Sequence, residues 1–68
     1  MKISARNALP GVIKGIKKGA TTAHVQIDVN GVIVTASITN ESVDELGLKV
    51  GDKAHAVVKS SDVMVAVD

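Results

Sequence analysis

The chain contains no cysteine, phenylalanine, tyrosine or tryptophan, and a single proline among its 68 residues. Without cysteine, neither a disulfide nor a thiolate-ligated zinc ion can brace so short a chain. Without aromatic rings there are no platforms on which single-stranded nucleic acid can stack its bases. An excess of one charge is missing too. Eight Lys and Arg stand against seven Asp and Glu, a net charge of +1, so contact with a phosphate backbone would release few counterions. Nucleic acid is therefore a poor partner. No apolar run approaches the ~20 residues of a membrane span. Residues 1–7 lack the apolar stretch of a secretory signal. The expectation is a cytoplasmic protein that binds neither membrane nor nucleic acid.

What is present is a 46% apolar chain whose core must come from Val, Ile, Leu and Ala. It has neither linker nor low-complexity tract and is read as one domain, residues 1–68. A domain of this length buries only about 60% of its unfolded surface and is marginal alone. With disulfides and zinc excluded, oligomerisation is the expected remedy.

Hydropathy alternation predicts five strands and one short helix. Ile3 to Arg6 is a short arm, and Pro10-Gly11 punctuates the chain after it. A bent strand runs from Val12 to Lys18, with Gly15 marking a bulge. Ala23, Val25, Ile27 and Val29 alternate with Thr22, His24, Gln26 and Asp28, which is a half-buried strand. Asn30-Gly31 signals a two-residue hairpin turn, and Val32 to Thr39 is the return strand. Ser42 and Glu45 have the spacing of a capping box, so a helix of one or two turns is expected from Ser42 to Leu46, closed by Gly47. Ala54–Lys59 and Val63–Val67 complete the strands, joined by a polar turn at Ser60-Ser61-Asp62. Five strands with a helix after the third match an all-β, OB-fold-like five-stranded small barrel with one short helix. An SH3-like barrel is the alternative.

Catalysis finds little support. His24 and His55 are the only candidate bases, each lies within an alternating strand, and no nucleophile and acid are arranged around either. Two histidines without cysteine or clustered carboxylates match neither zinc nor calcium spacing. The chain is read as a binding protein, not an enzyme, with no cofactor and no directly ligated metal cation. Anions are better served. Ser4-Ala5-Arg6-Asn7, Lys59-Ser60-Ser61 and Thr39-Asn40-Glu41-Ser42 are rich in hydrogen-bond donors, and the last leads into a helix N-terminus. Each has an ordinary reading alone: a free terminus, a solvated strand end, a helix cap. Together they supply hydroxyls, a guanidinium, an ammonium and free amides, a suitable shell for a small oxyanion.

These same residues carry a resemblance. Ser4-Ala5-Arg6-Asn7 followed by Leu9 and Gly11 resembles the opening signature of the molybdate-binding Mop proteins, the molbindins. So does Ala36-Ser37-Ile38-Thr39 followed by Ser42. Leu46-Gly47-Leu48, Gly51 and Lys59-Ser60-Ser61 extend the likeness from Ile3 to about Val65. The resemblance implies an OB-like barrel and a hexamer, a trimer of dimers with strand exchange. It implies cytoplasmic binding of molybdate and tungstate at subunit interfaces, for molybdenum storage and homeostasis. Carried over by position, Ser4, Ala5 and Arg6 contact the oxyanion, Lys59 and Ser60 join them from a neighbouring chain, and Thr39 and Ser42 contribute from before the helix. A further site near the three-fold axis maps onto Gly19, Ala20 and Thr22. A molybdate-responsive module that signals to a protein partner is the alternative reading.

The donor set suits that ligand. Molybdate near neutral pH is a tetrahedral dianion without protons and requires donors only. A protonated phosphate also needs an acceptor, and a buried polar group left unpaired costs about 1–3 kcal/mol. Sulfate is the harder competitor, since it too lacks protons.

Overall fold

The computed structural model describes all residues 1–68. Four antiparallel strands and one helix follow in order: β1 Asn7–Lys18, β2 Thr22–Val29, β3 Val32–Thr39, α1 Asn40–Leu46 and β4 Lys53–Val58, then a single 3-10 turn at Ser60–Asp62. The sheet order is β3-β2-β1-β4, so β3 and β4 are free edges and the sheet does not close on itself.

The hairpin forms as its sequence requires. Val29 pairs with Val32 across a two-residue turn. Asn30 and Gly31 take φ of 52° and 94°, the left-handed values that a type I′ turn demands and that Asn and Gly tolerate best. Asp28 Oδ1 accepts a hydrogen bond from Gly31 N at 2.7 Å and secures the corner. The expected bulge is present at Lys14. Ile13 opposes Ile27 and Gly15 opposes Gln26, so Lys14 is the extra residue. The loop before β4 grips this kink, with Gly51 N donating to Ile13 O and Ile13 N to Asp52 O.

Alternation sets the core. Ala23, Val25 and Ile27 of β2 turn to one face, where Ile13 of β1, Ala56 of β4 and Val43 of α1 meet them; these six residues are the whole buried core. Burial of aliphatic side chains yields roughly 25 cal/mol per Å², and six residues, two of them alanine, make a small sum. Beyond the core, Val32, Ile33, Leu46, Val50, Val63, Met64, Val65 and Val67 stand exposed.

Four expectations are corrected. The strand foreseen from Val12 begins at Asn7 and passes through Pro10. At Pro10 β1 is paired only with β4, because its ladder with β2 starts at Val12; a missing N–H is tolerated where one side is open. The helix begins two residues earlier than foreseen, and its cap lies three residues earlier. Thr39, in extended conformation at φ −72° and ψ 150°, is the N-cap, and its side chain accepts from Ser42 N. Strand and helix thus join without a loop, and Ser42 lies in the first turn instead of capping it. Gly47 does end the helix, at φ 64°. Gly47 N donates to Asp44 O and Leu48 N to Val43 O, and Leu48 packs on the core beside Val43, a Schellman ending with its apolar contact. Finally, Val63–Val67 form no strand, while Ile3–Arg6 lie outside the sheet as the arm that was expected. Four strands are present where five were expected, and in one chain they make an open sheet, not a barrel. A fifth strand needs a free edge to pair with, and Val63–Val67 lie against none in their own chain.

Candidate functional site

The register of β1 gathers the donor-rich segments into two groups. Asn7 pairs with Val58 as the last pair of the β1–β4 ladder, and Asn7 Nδ2 donates to Val58 O at 3.2 Å. Residues 4–6 therefore leave the sheet beside residues 59–60. Ser4, Arg6, Lys59 and Ser60 are exposed and Ala5 is half-buried. The chain has two ion pairs, Lys14 with Asp28 and Lys18 with Asp44, so neither Arg6 nor Lys59 has a carboxylate partner. These two cations lack carboxylate partners and are flanked in the chain by the hydroxyls of Ser4 and Ser60, a donor chemistry that suits an anion.

Thr39 and Ser42 stand at the opposite end. Thr39 pairs with Thr22 in the β2–β3 ladder, next to the turn that follows β1. The whole length of β1, 12 residues, separates them from Arg6, at most about 35–40 Å at 3.3 Å per residue. One chain therefore unites Ser4, Ala5 and Arg6 with Lys59 and Ser60, and it unites Thr39 and Ser42 with Gly19, Ala20 and Thr22. It does not unite the two groups. The sequence did not show this second neighbourhood, because 20 positions separate Gly19 from Thr39.

The hydroxyls of that second group are already engaged. Thr39 Oγ1 accepts from Ser42 N at 3.0 Å and donates to Ser42 Oγ at 2.8 Å. The Ser42 proton is left to donate outward, while Thr39 must first release Ser42. Asn40, which carried no role in the sequence reading, positions this end. Its Nδ2 donates to Gly19 O at 2.9 Å and its backbone N donates to Thr21 O at 2.9 Å, fastening the 19–22 turn to the start of α1. The signal was its place directly after the capping Thr39. Asn40 Oδ1 is buried without a partner; as an acceptor it adds nothing to an anion shell.

Nowhere in the chain do three His, Cys, Asp or Glu side chains converge on a point that would hold a metal ion. No helix is long and apolar enough to cross a membrane. The outer face of the sheet, opposite the core, carries Lys17, His24, Gln26 and Thr35 along a shallow groove.

Comparison with known proteins accords with the geometry. The TOBE domain family model matches residues 3–65. The chain is 50% identical over 66 residues to "Molybdenum-pterin-binding protein 2" of Clostridium pasteurianum, covering 96% of this chain and 97% of that protein. The solved structure of a molybdate-binding protein from Sporomusa ovata superposes with a TM-score of 0.94 at 42% identity, over 98% of this chain and 100% of that one. The cytoplasmic molybdate-binding protein ModG, solved with molybdate bound, superposes with a TM-score of 0.88 at 45% identity; the chain spans 46% of its length. With a family model covering nearly its whole length and a relative half identical to it end to end, the chain belongs to the TOBE-domain family and, within it, to the molbindins, the Mop proteins.

Proposed function

We propose that the chain binds molybdate, and tungstate of nearly the same size, in cages shared between copies of itself, as an intracellular store of the oxyanion. The observation that carries this reading is the division of the donor set. Arg6 and Lys59 lack carboxylate partners at one end of the chain, and Ser42 stands at the other. A second copy, set end against end, completes the shell: Ser4, Ala5, Arg6, Lys59 and Ser60 from one side, Thr39 and Ser42 from the other. A dianion there neutralises two cations that would otherwise repel. Ligands named for the relatives, the molybdate-binding protein of Sporomusa ovata and ModG with its bound molybdate, support the choice of anion.

The assembly is a homohexamer, a trimer of dimers. Its support is the small core of one chain, the two open sheet edges, and the bare apolar segment Val63–Val67, which has the alternation of a strand and no partner in its own chain. Exchange of that segment onto a neighbour's free edge supplies the fifth strand. Because the ligand binds only the assembled form, molybdate stabilises the assembly by mass action. The protein's work is binding, and neither nucleic acid nor membrane enters it.

Equilibrium dialysis against molybdate in excess sulfate tests the reading. Retained molybdenum, together with a light-scattering mass well above one chain, is expected. A protein of single-chain mass that retains no molybdenum overturns it.

A further inference from the structure

The tip of the β2–β3 hairpin holds the chain's one Asn-Gly pair. Asn7, Asn30 and Asn40 are the only asparagines, and two of them have their side-chain amides engaged. Asn7 Nδ2 donates to Val58 O and Asn40 Nδ2 to Gly19 O. They are followed by Ala8 and Glu41, whereas Asn30, which is exposed, is followed by Gly31. Around Gly31 there is open space, since a Cβ there would meet nothing within 4 Å. The Gly31 amide is nevertheless held. It donates to Asp28 Oδ1 at 2.7 Å, and Asp28 Oδ2 in turn faces Lys14 Nζ on the bulge of β1 at 3.9 Å.

We propose that Asn30 is a site of spontaneous deamidation, and that Asp28 guards it for as long as the hairpin is closed. The reaction needs only water. Gly31 N gives its proton to solvent and attacks Asn30 Cγ; the new N–Cγ bond closes a five-membered imide, and the Cγ–Nδ2 bond breaks to release ammonia. Water then opens the imide at one carbonyl or the other, leaving an aspartyl or an isoaspartyl residue at position 30. In the closed hairpin the lone pair that Gly31 N gains on losing its proton lies where its N–H pointed, toward Asp28. The carboxylate there also opposes the negative charge that forms on the nitrogen. Attack therefore waits for local opening of the turn. Once it occurs, a second carboxylate stands beside Asp28 and the formal net charge falls from +1 to zero. The isoaspartyl product also lengthens the main chain between Val29 and Val32, a pair that a two-residue turn joins and whose geometry fixes the register. β3 is a free edge held by β2 alone, so deamidation loosens the strand that ends in Thr39.

The test is peptide mapping by mass spectrometry after incubation in mildly alkaline buffer without molybdate, on the assembled protein and, in parallel, on the same protein in concentrated urea. In urea, Asn30 should lose its amide faster than Asn7 and Asn40 and give both products. In the folded protein the Asn30 rate should fall by roughly tenfold or more, because opening must precede attack. Asp28→Ala should raise the rate in the folded protein and leave the rate in urea nearly unchanged, with the amide spectrum reporting that the hairpin is kept. Asp28 is outside the core; should its variant fail to fold, the comparison of the unaltered chain with and without urea still decides. Equal Asn30 rates in the folded and urea-unfolded chain overturn the proposal. So does an Asn30 no faster than Asn7 and Asn40 in urea, or a folded Asp28→Ala chain that deamidates no faster than the unaltered one.

Discussion

Thr39 and Ser42 are joined by two hydrogen bonds, one from the Ser42 backbone N to Thr39 Oγ1 at 3.0 Å and one from Thr39 Oγ1 to Ser42 Oγ at 2.8 Å. The first fastens the start of α1 and the second decides which hydroxyl has a proton to spare. Thr39→Ala removes both bonds and the cap, and an N-cap is worth about 0.5–2 kcal/mol. Ser42→Ala keeps the backbone bond and should lose less stability while losing more molybdate affinity. Urea unfolding at fixed protein concentration, paired with calorimetry, separates the two variants; the reverse ranking would contradict the assignment.

Arg6 has no carboxylate partner, whereas Lys14 lies on the bulge 3.9 Å from Asp28 Oδ2. Arg6→Ala is expected to weaken molybdate binding roughly ten- to hundred-fold, the worth of one hydrogen bond to a charged group. Lys14→Ala should leave affinity nearly unchanged. Calorimetric titration decides, and equal effects would remove Arg6 from the site.

Gly11 is required by space. A Cβ there would sit 2.5 Å from the Asp28 carbonyl oxygen and 2.8 Å from Ile27 Cγ2, whereas at Gly15 it would meet only the flexible end of Gln26 at 3.2 Å. Gly11→Ala should cost about 1–3 kcal/mol, the range for overpacking against a fixed backbone. Gly15→Ala should cost much less. Denaturant midpoints of the two variants measure the difference, and equal losses would mean that β1 and β2 do not approach so closely.

Removal of Val63–Asp68 takes away none of the six core residues. The truncated chain should keep its β-rich circular dichroism yet fall in light-scattering mass, because the segment's partner is a second copy. An unchanged mass would locate the subunit contacts elsewhere.

Much of the fold was legible because its causes are local. Asn30-Gly31 specifies its turn through the backbone angles those two residues tolerate. The alternation from Ala23 to Val29 specifies which face is buried through the two-residue period of a strand. Gly15 announced the bulge and Gly47 the end of the helix. The helix start was misplaced because Thr39 and Ser42 both offer a capping hydroxyl, and only the direction in which the chain leaves β3 selects between them. Val63–Val67 alternates as a strand should, but pairing needs an edge as well as a pattern, and no pattern within a segment says which chain provides that edge.

The amino-acid sequence by itself determined the chemistry: hydroxyls, one guanidinium and one ammonium in three short segments, without aromatics, cysteine or an excess of charge. Tertiary structure alone decided their grouping. The β1–β4 register sets Arg6 beside Lys59, the β2–β3 register sets Thr39 beside Thr22, and the length of β1 holds the two groups apart. Side-chain chemistry is a property of each residue, whereas which residues share a place in space depends on how distant strands align.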